Sequence, residues 1–488
     1  MATRRLVPVP SRTWLPLGVG LISYITVLAR GNTLLADPDV YLHVAAGRWI
    51  IEHKFVPHTD IFSHSMRGAP WVPHEWLSEV LLAFLYDHFG WIGLSVLVGI
   101  AFALAMALLT RALLMFLAPT YALIGTFTAW GMCFPTLVAR PHVLTFPLVV
   151  IWVAMLVMAR SKDKAPPPYA ALLVVLWANL HGSFLIGPAL AAAFAGEALF
   201  EANDRQAARR VVIGWSVFGL LSLAAMFMTP NGVTGILLPL DMARMNFALS
   251  LISEWQSPNF QRPQPLEIWL MLLLLGVLLL GIRLSITRIV MLLVLLHMAL
   301  IHLRHGMLMA LITPLLMAPS LASQLPRRPE EFMGTLVNRG LGVRTWPAAI
   351  SVAIVAGAFA LALGATVWRR GVMPDPAGRY TPAAALAAAR QNQIAGPVFN
   401  EFNFGGFLIF SGVPTFIDGR ADVYGDRFLR RYIRPEDLPG LLSQYRITWT
   451  LLGVQHPHVL LLDHLPGWRR LYADAVAVVH VREKTAEP

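Results

Sequence analysis

Of 488 residues, 57% are hydrophobic and 13% charged, whereas soluble domains carry roughly 45–50% apolar and about 25% charged residues. That balance excludes a soluble globular protein, a disordered chain and a coiled coil. Apolar runs near span length point to a polytopic helical membrane protein, not to a barrel of short alternating segments. The net charge is +11, yet residues 370–488 hold 13 Lys/Arg against 11 Asp/Glu. The basic excess therefore lies in the membrane part, where it reports topology and not nucleic-acid binding. A single cysteine, Cys133, excludes an intrachain disulfide framework.

About eleven spans are predicted from runs of roughly 20 apolar residues. They lie near 13–30, 91–110, 120–138, 143–159, 168–180, 183–199, 211–229, 266–282, 289–303, 306–322 and 346–367. The first lacks a small-residue cleavage site and follows Trp14, an interfacial anchor, so it reads as a span and not a signal peptide. With Arg4, Arg5 and Arg12 in the cytoplasm, residues 1–369 place 16 Lys/Arg inside and 9 outside, as the positive-inside rule requires. The odd span count puts the tail outside. The tail alternates strand-like runs (397–400, 414–418, 448–452, 475–481) with helical stretches (382–391, 438–445), the pattern of a small α/β domain. The expected organisation is a membrane module, 1–370, with a first outer loop at 31–90, and an extracytoplasmic α/β domain, 371–488.

The polar residues gather on one side. Asp37, Asp39, His43, His74, Glu75 and Glu79 lie in the first outer loop. Arg140, His142, Asn179, His181, Glu254, Arg304 and His305 all fall at outer span ends or in outer loops. Ionisable groups near hydrocarbon are costly and default to functional roles, so a single polar cavity at the outer membrane face is expected. Asp37-Pro38-Asp39 opens a helix, with Asp37 as cap and Pro38 in the first helical position. Asp39 and His43, at i and i+4, share a face of that helix. Its apolar side, with Tyr41, Trp49 and Ile50, suits a helix lying along the interface. Each residue also has a plainer reading: Asp37 as a cap only, His43 as a satisfied interfacial histidine, Arg140 as a snorkelling anchor. His74-Glu75 is no HExxH zinc signature, because position 78 is Ser78. The clustering on one face carries the functional reading.

A carboxylate at a semi-buried helix start suits a general base or a metal ligand. Asp37 and Asp39 have the oxygen ligands for Mg²⁺ or Mn²⁺, and His43 would admit Zn²⁺. Arg140 and Arg304 suit a phosphate leaving group. Together these groups fit group transfer from a phosphorylated lipid.

The acidic motif after the first span, the long outer loop, about eleven spans and the outer α/β tail resemble the C-type glycosyltransferase superfamily. That superfamily includes oligosaccharyltransferases, protein mannosyltransferases and the lipid A aminoarabinose transferase. The resemblance implies an inverting enzyme that takes sugar from a polyprenyl-phosphate carrier for a lipid, glycan or protein acceptor. In the aminoarabinose transferase type an Asp-Glu pair is followed by a Tyr four residues after the Asp. Asp37 and Tyr41 match, but Pro38 replaces the Glu and the second acid is Asp39. Either aspartate therefore fits the base.

The chain also resembles a group of bacterial multi-span proteins. The matching stretches are Asp37, Asp39, His43 and Gly47, HEWLSE at 74–79, ARP at 139–141, WANLHGS at 177–183, and Glu254-Trp255. In the tail they are Phe404-Gly405-Gly406-Phe407-Leu408 and Ile417-Asp418-Gly419-Arg420, with Asp422 and Tyr424. Asp418 and Arg420, after a predicted strand, suit acceptor recognition, or an ion pair tying a loop to the membrane core. The expectation is a transferase of the bacterial inner membrane, with its N-terminus cytoplasmic and its tail periplasmic. A flippase of lipid-linked glycans and a non-catalytic envelope assembly protein are the alternatives. No internal repeat supports the flippase reading.

Overall fold

The computed structural model describes residues 9–326, 376 and 378–483. The predicted span at 346–367 lies outside them. The helices are α1 (Val9–Leu28), α2 (Asp39–His53), α3 (Trp76–Leu113), α4 (Pro119–Cys133), α5 (Pro141–Leu144), α6 (Phe146–Ser161) and α7 (Leu172–Leu180). There follow α8 (Ile186–Phe200), α9 (Arg205–Ala225), α10 (Gly232–Met242), α11 (Asn246–Leu251), α12 (Pro265–Leu280), α13 (Ile286–Ile301) and α14 (His305–Gln324). Each predicted span from 13–30 to 306–322 falls on one of these helices. By length and composition, 4 described helical segments are long and apolar enough to cross a membrane: Trp76–Leu113, Gly182–Phe200, Arg205–Ala225 and His305–Gln324. Prolines and short 3₁₀ turns interrupt some of the other apolar runs. Pro141 and Pro147 divide the start of 143–159, and extended backbone at His181 parts 168–180 from 183–199.

Gly90 joins two predicted elements into α3. Its φ of 62° bends the helix between the HEWLSE segment and the apolar run after it. The apolar side of helix α2 faces protein. Val40, Tyr41, Leu42, Val44, Ala46 and Ile50 are buried, packed against α3 and the tail helix Gly405–Phe410. Gly47 makes the α2–α3 contact possible: a Cβ there would stand 2.8 Å from that of Ala83 and nearer still to the Glu79 carbonyl.

The tail forms a four-stranded sheet in the order β1-β2-β4-β3. β1 (Val398–Asn400) runs parallel to β2 (Trp449–Gly453). β4 (Ala477–Arg482) is antiparallel to both β2 and β3 (Trp468–Ala473). Three of the predicted runs become strands; β3, an edge strand with two outward arginines, carries no buried-strand signature. The run 414–418 is not a strand of this sheet. Its backbone is engaged by the first outer loop, with Thr415 N–H donating to Phe62 O (3.2 Å) and His64 N–H to Thr415 O (2.9 Å). One apolar cluster joins Ala46 and Trp71 of the first-loop region and Ala248 of α11 to Phe399, Phe416, Tyr424 and Phe428 of the tail. Loop and tail thus share a core, which fixes the tail over the membrane module.

Candidate active site

The acidic turn is built around one guanidinium. Pro38, with φ −63°, starts α2. The Asp39 N–H, an orphan donor at the helix end, is taken by Asp37 Oδ1 at 2.9 Å. Asp37 thus does the work of a cap one residue before the cap position. Its other oxygen, Oδ2, pairs with Arg140 Nε at 2.6 Å. Arg140 also reaches Asp39 Oδ2 at 2.8 Å and the Glu254 carboxylate. Burial opposes the Arg140 charge, but the three carboxylates override it and raise the pKa above the usual arginine value. Asp37 has both oxygens engaged, whereas Asp39 Oδ1 has no hydrogen-bond or ion-pair partner among the described residues. Burial pushes the Asp39 carboxyl up to about 6, against the pull of Arg140.

The motifs 74–79 and 177–183 are two sides of one zipper. Trp76 Nε1 donates to Asn179 Oδ1 (2.8 Å), and Ser78 Oγ donates to the Leu180 carbonyl (2.7 Å). Each such bond contributes about 1 kcal/mol net. Asn179 also donates to the Val175 and Met228 carbonyls. The zipper sets Glu75 and Glu79 among imidazoles. His43 Nδ1 lies 3.3 Å from Glu79 Oε1 and 3.9 Å from Glu75 Oε2, while Glu75 Oε1 lies 3.3 Å from His181 Nε2 and 3.8 Å from His74 Nε2. Burial disfavours the His43 charge, but the Glu79 hydrogen bond and the Glu75 charge outweigh it and raise its pKa to about 9. His181 Nδ1 accepts from the Ser183 N–H (3.0 Å), so the proton sits on Nε2, facing Glu75. Burial and the nearby Arg304 keep His181 neutral, and burial with Arg140 and Arg304 lowers His142 to about 3.

The tail closes this site from above, and its glycines permit the contact. A Cβ on Gly406 would stand 2.6 Å from the Pro38 carbonyl; on Gly405, 2.5 Å from Asp418 Cα. On Gly419 it would stand 2.9 Å from Asp39 Cγ and closer still to Oδ1. Asp418 holds this segment in place. It accepts from Arg420 Nε (2.8 Å) and Nη2 (2.7 Å) and from the Tyr424 hydroxyl (2.8 Å). Arg420 then pairs with Asp60 of the first loop at 2.6 Å and covers Trp71 at 4.7 Å. The Asp418–Arg420 pair is therefore a tie between tail and loop. It follows an extended segment, not the predicted strand, and leads into the helix Ala421–Ile433.

Between roof and membrane module lies a cavity of about 670 Å³, lined by Asp37, Asp39, His43, His74, Glu75, Arg140, His142, His181, Glu254 and Arg304 and by tail residues that include Gly419, Arg420 and Asp422. A second cavity, about 400 Å³, adjoins it beneath the wall formed by His142, His181 and Arg304. It is lined mainly by apolar side chains, among them Phe146, Leu185, Ile186, Leu238, Met307 and Leu308. Arg304 faces both. Its guanidinium covers the Trp255 ring at 4.5 Å, and among the described residues it has no ion pair or side-chain hydrogen bond.

No family model and no curated protein matches the sequence. Solved structures do. ArnT from Cupriavidus metallidurans, bound to undecaprenyl phosphate, aligns over 96% of this chain and 97% of its own, with TM-score 0.54 and 13% identity. The archaeal oligosaccharyltransferase AglB from Archaeoglobus fulgidus, in complex with an inhibitory peptide and a dolichol-phosphate, aligns over 97% and 75%, with TM-score 0.58 and 10% identity. The apo oligosaccharyltransferase from the same archaeon gives 91%, 70%, 0.53 and 12%. The fold is that of ArnT and of the AglB oligosaccharyltransferase.

On this fold most of the expected residues converge, and some do not. Tyr41 lies away from the cavity. Its hydroxyl is 3.1 Å from Thr381 Oγ1, and its ring packs edge-on to Trp91 and Phe407, docking the tail. Asn179 and Asp418 position other groups. His305 lines only the apolar cavity. Among the described residues no group of three or more His, Cys, Asp or Glu side chains is arranged to hold a metal ion. Arg140 stands between Asp37 and Asp39, where a bridging cation would sit, and His43 turns to Glu79. The expected Asp37, Asp39 and His43 set therefore does not fit a metal in this arrangement. Sequence reasoning missed Gly419, whose signal was the Asp-Gly-Arg motif, and Asp422, noted as part of that motif but given no role.

Proposed function

We propose that the protein is an inverting glycosyltransferase that moves a sugar from a polyprenyl-phosphate donor to an acceptor on the outer face of the bacterial inner membrane. The observation that carries this reading is Arg304, an unpaired guanidinium at the wall between an apolar and a polar cavity. A phosphate with an apolar tail on one side and a polar sugar on the other matches that sequence of environments. The lipid carriers bound to ArnT and AglB support the same ligand class.

In this reading the isoprenoid chain occupies the apolar cavity and the phosphate rests on Arg304, with neutral His142 and His181 beside it. The sugar projects toward Asp39. The acceptor oxygen forms a bond to the anomeric carbon as the bond from that carbon to the phosphate oxygen breaks. The acceptor proton passes to Asp39 Oδ1, and the lipid phosphate leaves with the electron pair, stabilised by Arg304. Single displacement inverts the anomeric centre. Asp39 suits the base because one oxygen is free and burial raises its pKa to about 6. Asp37, with both oxygens committed, orients Arg140 and the helix start.

The test is Asp39→Asn in the full chain. Transfer is expected to fall by at least about 10³-fold, while undecaprenyl phosphate still raises the melting temperature as in wild type. Wild-type transfer in Asp39→Asn would overturn the assignment of the base. Absence of any stabilisation of the wild-type protein by undecaprenyl phosphate would overturn the donor class.

A further inference from the structure

One carboxylate of the cavity stands outside its two ion-pair groups. Asp37, Asp39 and Glu254 surround Arg140; Glu75 and Glu79 face His43, His74 and His181. Asp422 lines the same cavity from the tail. Among the described residues it has no side-chain hydrogen bond or ion pair to another residue.

Its placement is fixed from both sides. Asp422 is the second residue of the helix Ala421–Ile433, between Arg420 and Tyr424, and both neighbours are tied to Asp418. Arg420 is also anchored to Asp60 and over Trp71. Val423, the next residue, is buried. A carboxylate placed this way in a partly closed cavity, bonded only to its own backbone N–H among the described residues, has acceptor capacity left for a ligand.

An ionised carboxylate only accepts hydrogen bonds, so the ligand group must donate. Burial raises the Asp422 carboxyl pKa against the pull of His74 and Arg420, and a hydroxyl, which both donates and accepts, suits either form. The same cavity wall carries Phe402 and Asn403, with Tyr432 stacked on Phe399 and Trp71 under the Arg420 guanidinium. An aromatic ring, a carboxylate and an amide lining one cavity suit a sugar: its C–H face packs on Phe402 and its hydroxyls donate to the polar groups. No residue of the four sheet strands lines the cavity, so the tail offers no strand edge there for an extended peptide.

Resting on the transferase reading, we propose that Asp422 is the acceptor-binding carboxylate of the cavity, and that the acceptor is a saccharide whose ring hydroxyls donate to it. The sugar comes from a free glycan or from a glycolipid headgroup; the chemistry at Asp422 is the same. Arg304 serves the donor phosphate, Asp39 takes the acceptor proton, and Asp422 of the tail holds the acceptor ring.

The test is saturation-transfer NMR on the full chain in nanodiscs. The probes are the methyl glycosides of glucose, galactose, mannose, rhamnose and N-acetylglucosamine, and short-chain glycolipids bearing the same sugars. Wild type is expected to transfer saturation to ring protons of at least one probe. Asp422→Ala should weaken that binding at least about tenfold, the loss of a hydrogen bond to a charged group, and Asp422→Asn should fall between. Undecaprenyl phosphate should stabilise all three proteins equally, which also shows that the variants are folded. Selective binding of the glycolipids marks the headgroup source, and equal binding of both forms marks a free glycan. No contact with any saccharide in wild type, equal contact in Asp422→Ala, or displacement of a bound saccharide only by peptides would overturn the proposal. Failure of undecaprenyl phosphate to stabilise wild type, with Asp422-dependent saccharide contact intact, would overturn the donor reading alone.

Discussion

Gly419→Ala isolates the contact between tail and base. The added methyl would stand 2.9 Å from Asp39 Cγ and nearer to Oδ1, whereas non-bonded heavy atoms settle roughly 3.5–4.0 Å apart. The group that gives way is the end of a flexible side chain, so the Asp39 carboxylate retreats by about 1 Å and the backbone stays. The 2.8 Å pairing with Arg140 lengthens, and Oδ1 leaves the line to the acceptor proton. A misplacement of about 1 Å costs on the order of a hundredfold in rate, or about 2.7 kcal/mol in activation free energy. The assay is single-turnover release of undecaprenyl phosphate from a lipid extract containing polyprenyl-linked sugars, followed by mass spectrometry. Gly440→Ala is the control, because a Cβ there meets nothing within 4 Å. The expected result is a rate loss near a hundredfold for Gly419→Ala, a melting temperature within a few degrees of wild type, and an unchanged rate for Gly440→Ala. A wild-type rate in Gly419→Ala would refute the claim that the roof positions Asp39.

Four further outcomes are expected. Arg304→Gln should weaken undecaprenyl phosphate binding about 10- to 100-fold, the worth of a charge-assisted hydrogen bond, with little loss of stability because Arg304 has no ion pair; unchanged affinity by thermal titration would move the phosphate elsewhere. Transfer should rise with pH through about 6 and then level off, because the base acts deprotonated and Asp39 is raised to that value; a rate independent of pH between 5 and 7 would exclude Asp39 as the titrating group. Arg140→Gln should cost roughly 3–5 kcal/mol in stability, since it leaves Asp37, Asp39 and Glu254 facing one another; a near-wild-type denaturation midpoint would contradict that. Dialysis against EDTA should leave transfer intact, because Arg140 fills the place between the aspartates; loss of activity restored by Mg²⁺, Mn²⁺ or Zn²⁺ would reinstate a metal at Asp37 and Asp39.

The helices and the one-sided polar clustering were legible because hydropathy and burial cost act locally. Asp37, Asp39, Arg140, His181 and Glu254 could be grouped by membrane side before any fold was known. Their pairing could not, because the choice of Arg140 as the partner of three acids depends on how α5, the acidic turn and the 253–256 loop approach. Tyr41 misled because spacing fixes a helical face only relative to its neighbours; the face it shares turned to the tail. The strand at 414–418 was misread because its extended pattern is real but pairs with the first loop. Gly419 and Asp422 lay in a visible motif, yet their roles depend on a docking contact between residues far apart in sequence.

The most direct test is a structure of the full chain in lipid nanodiscs with undecaprenyl phosphate. The phosphate is predicted within hydrogen-bond reach of the Arg304 guanidinium, beside His142 and His181, with the isoprenoid chain between Phe146, Leu185 and Leu238. Phosphate bound away from Arg304, with the apolar cavity empty of lipid, would contradict the account.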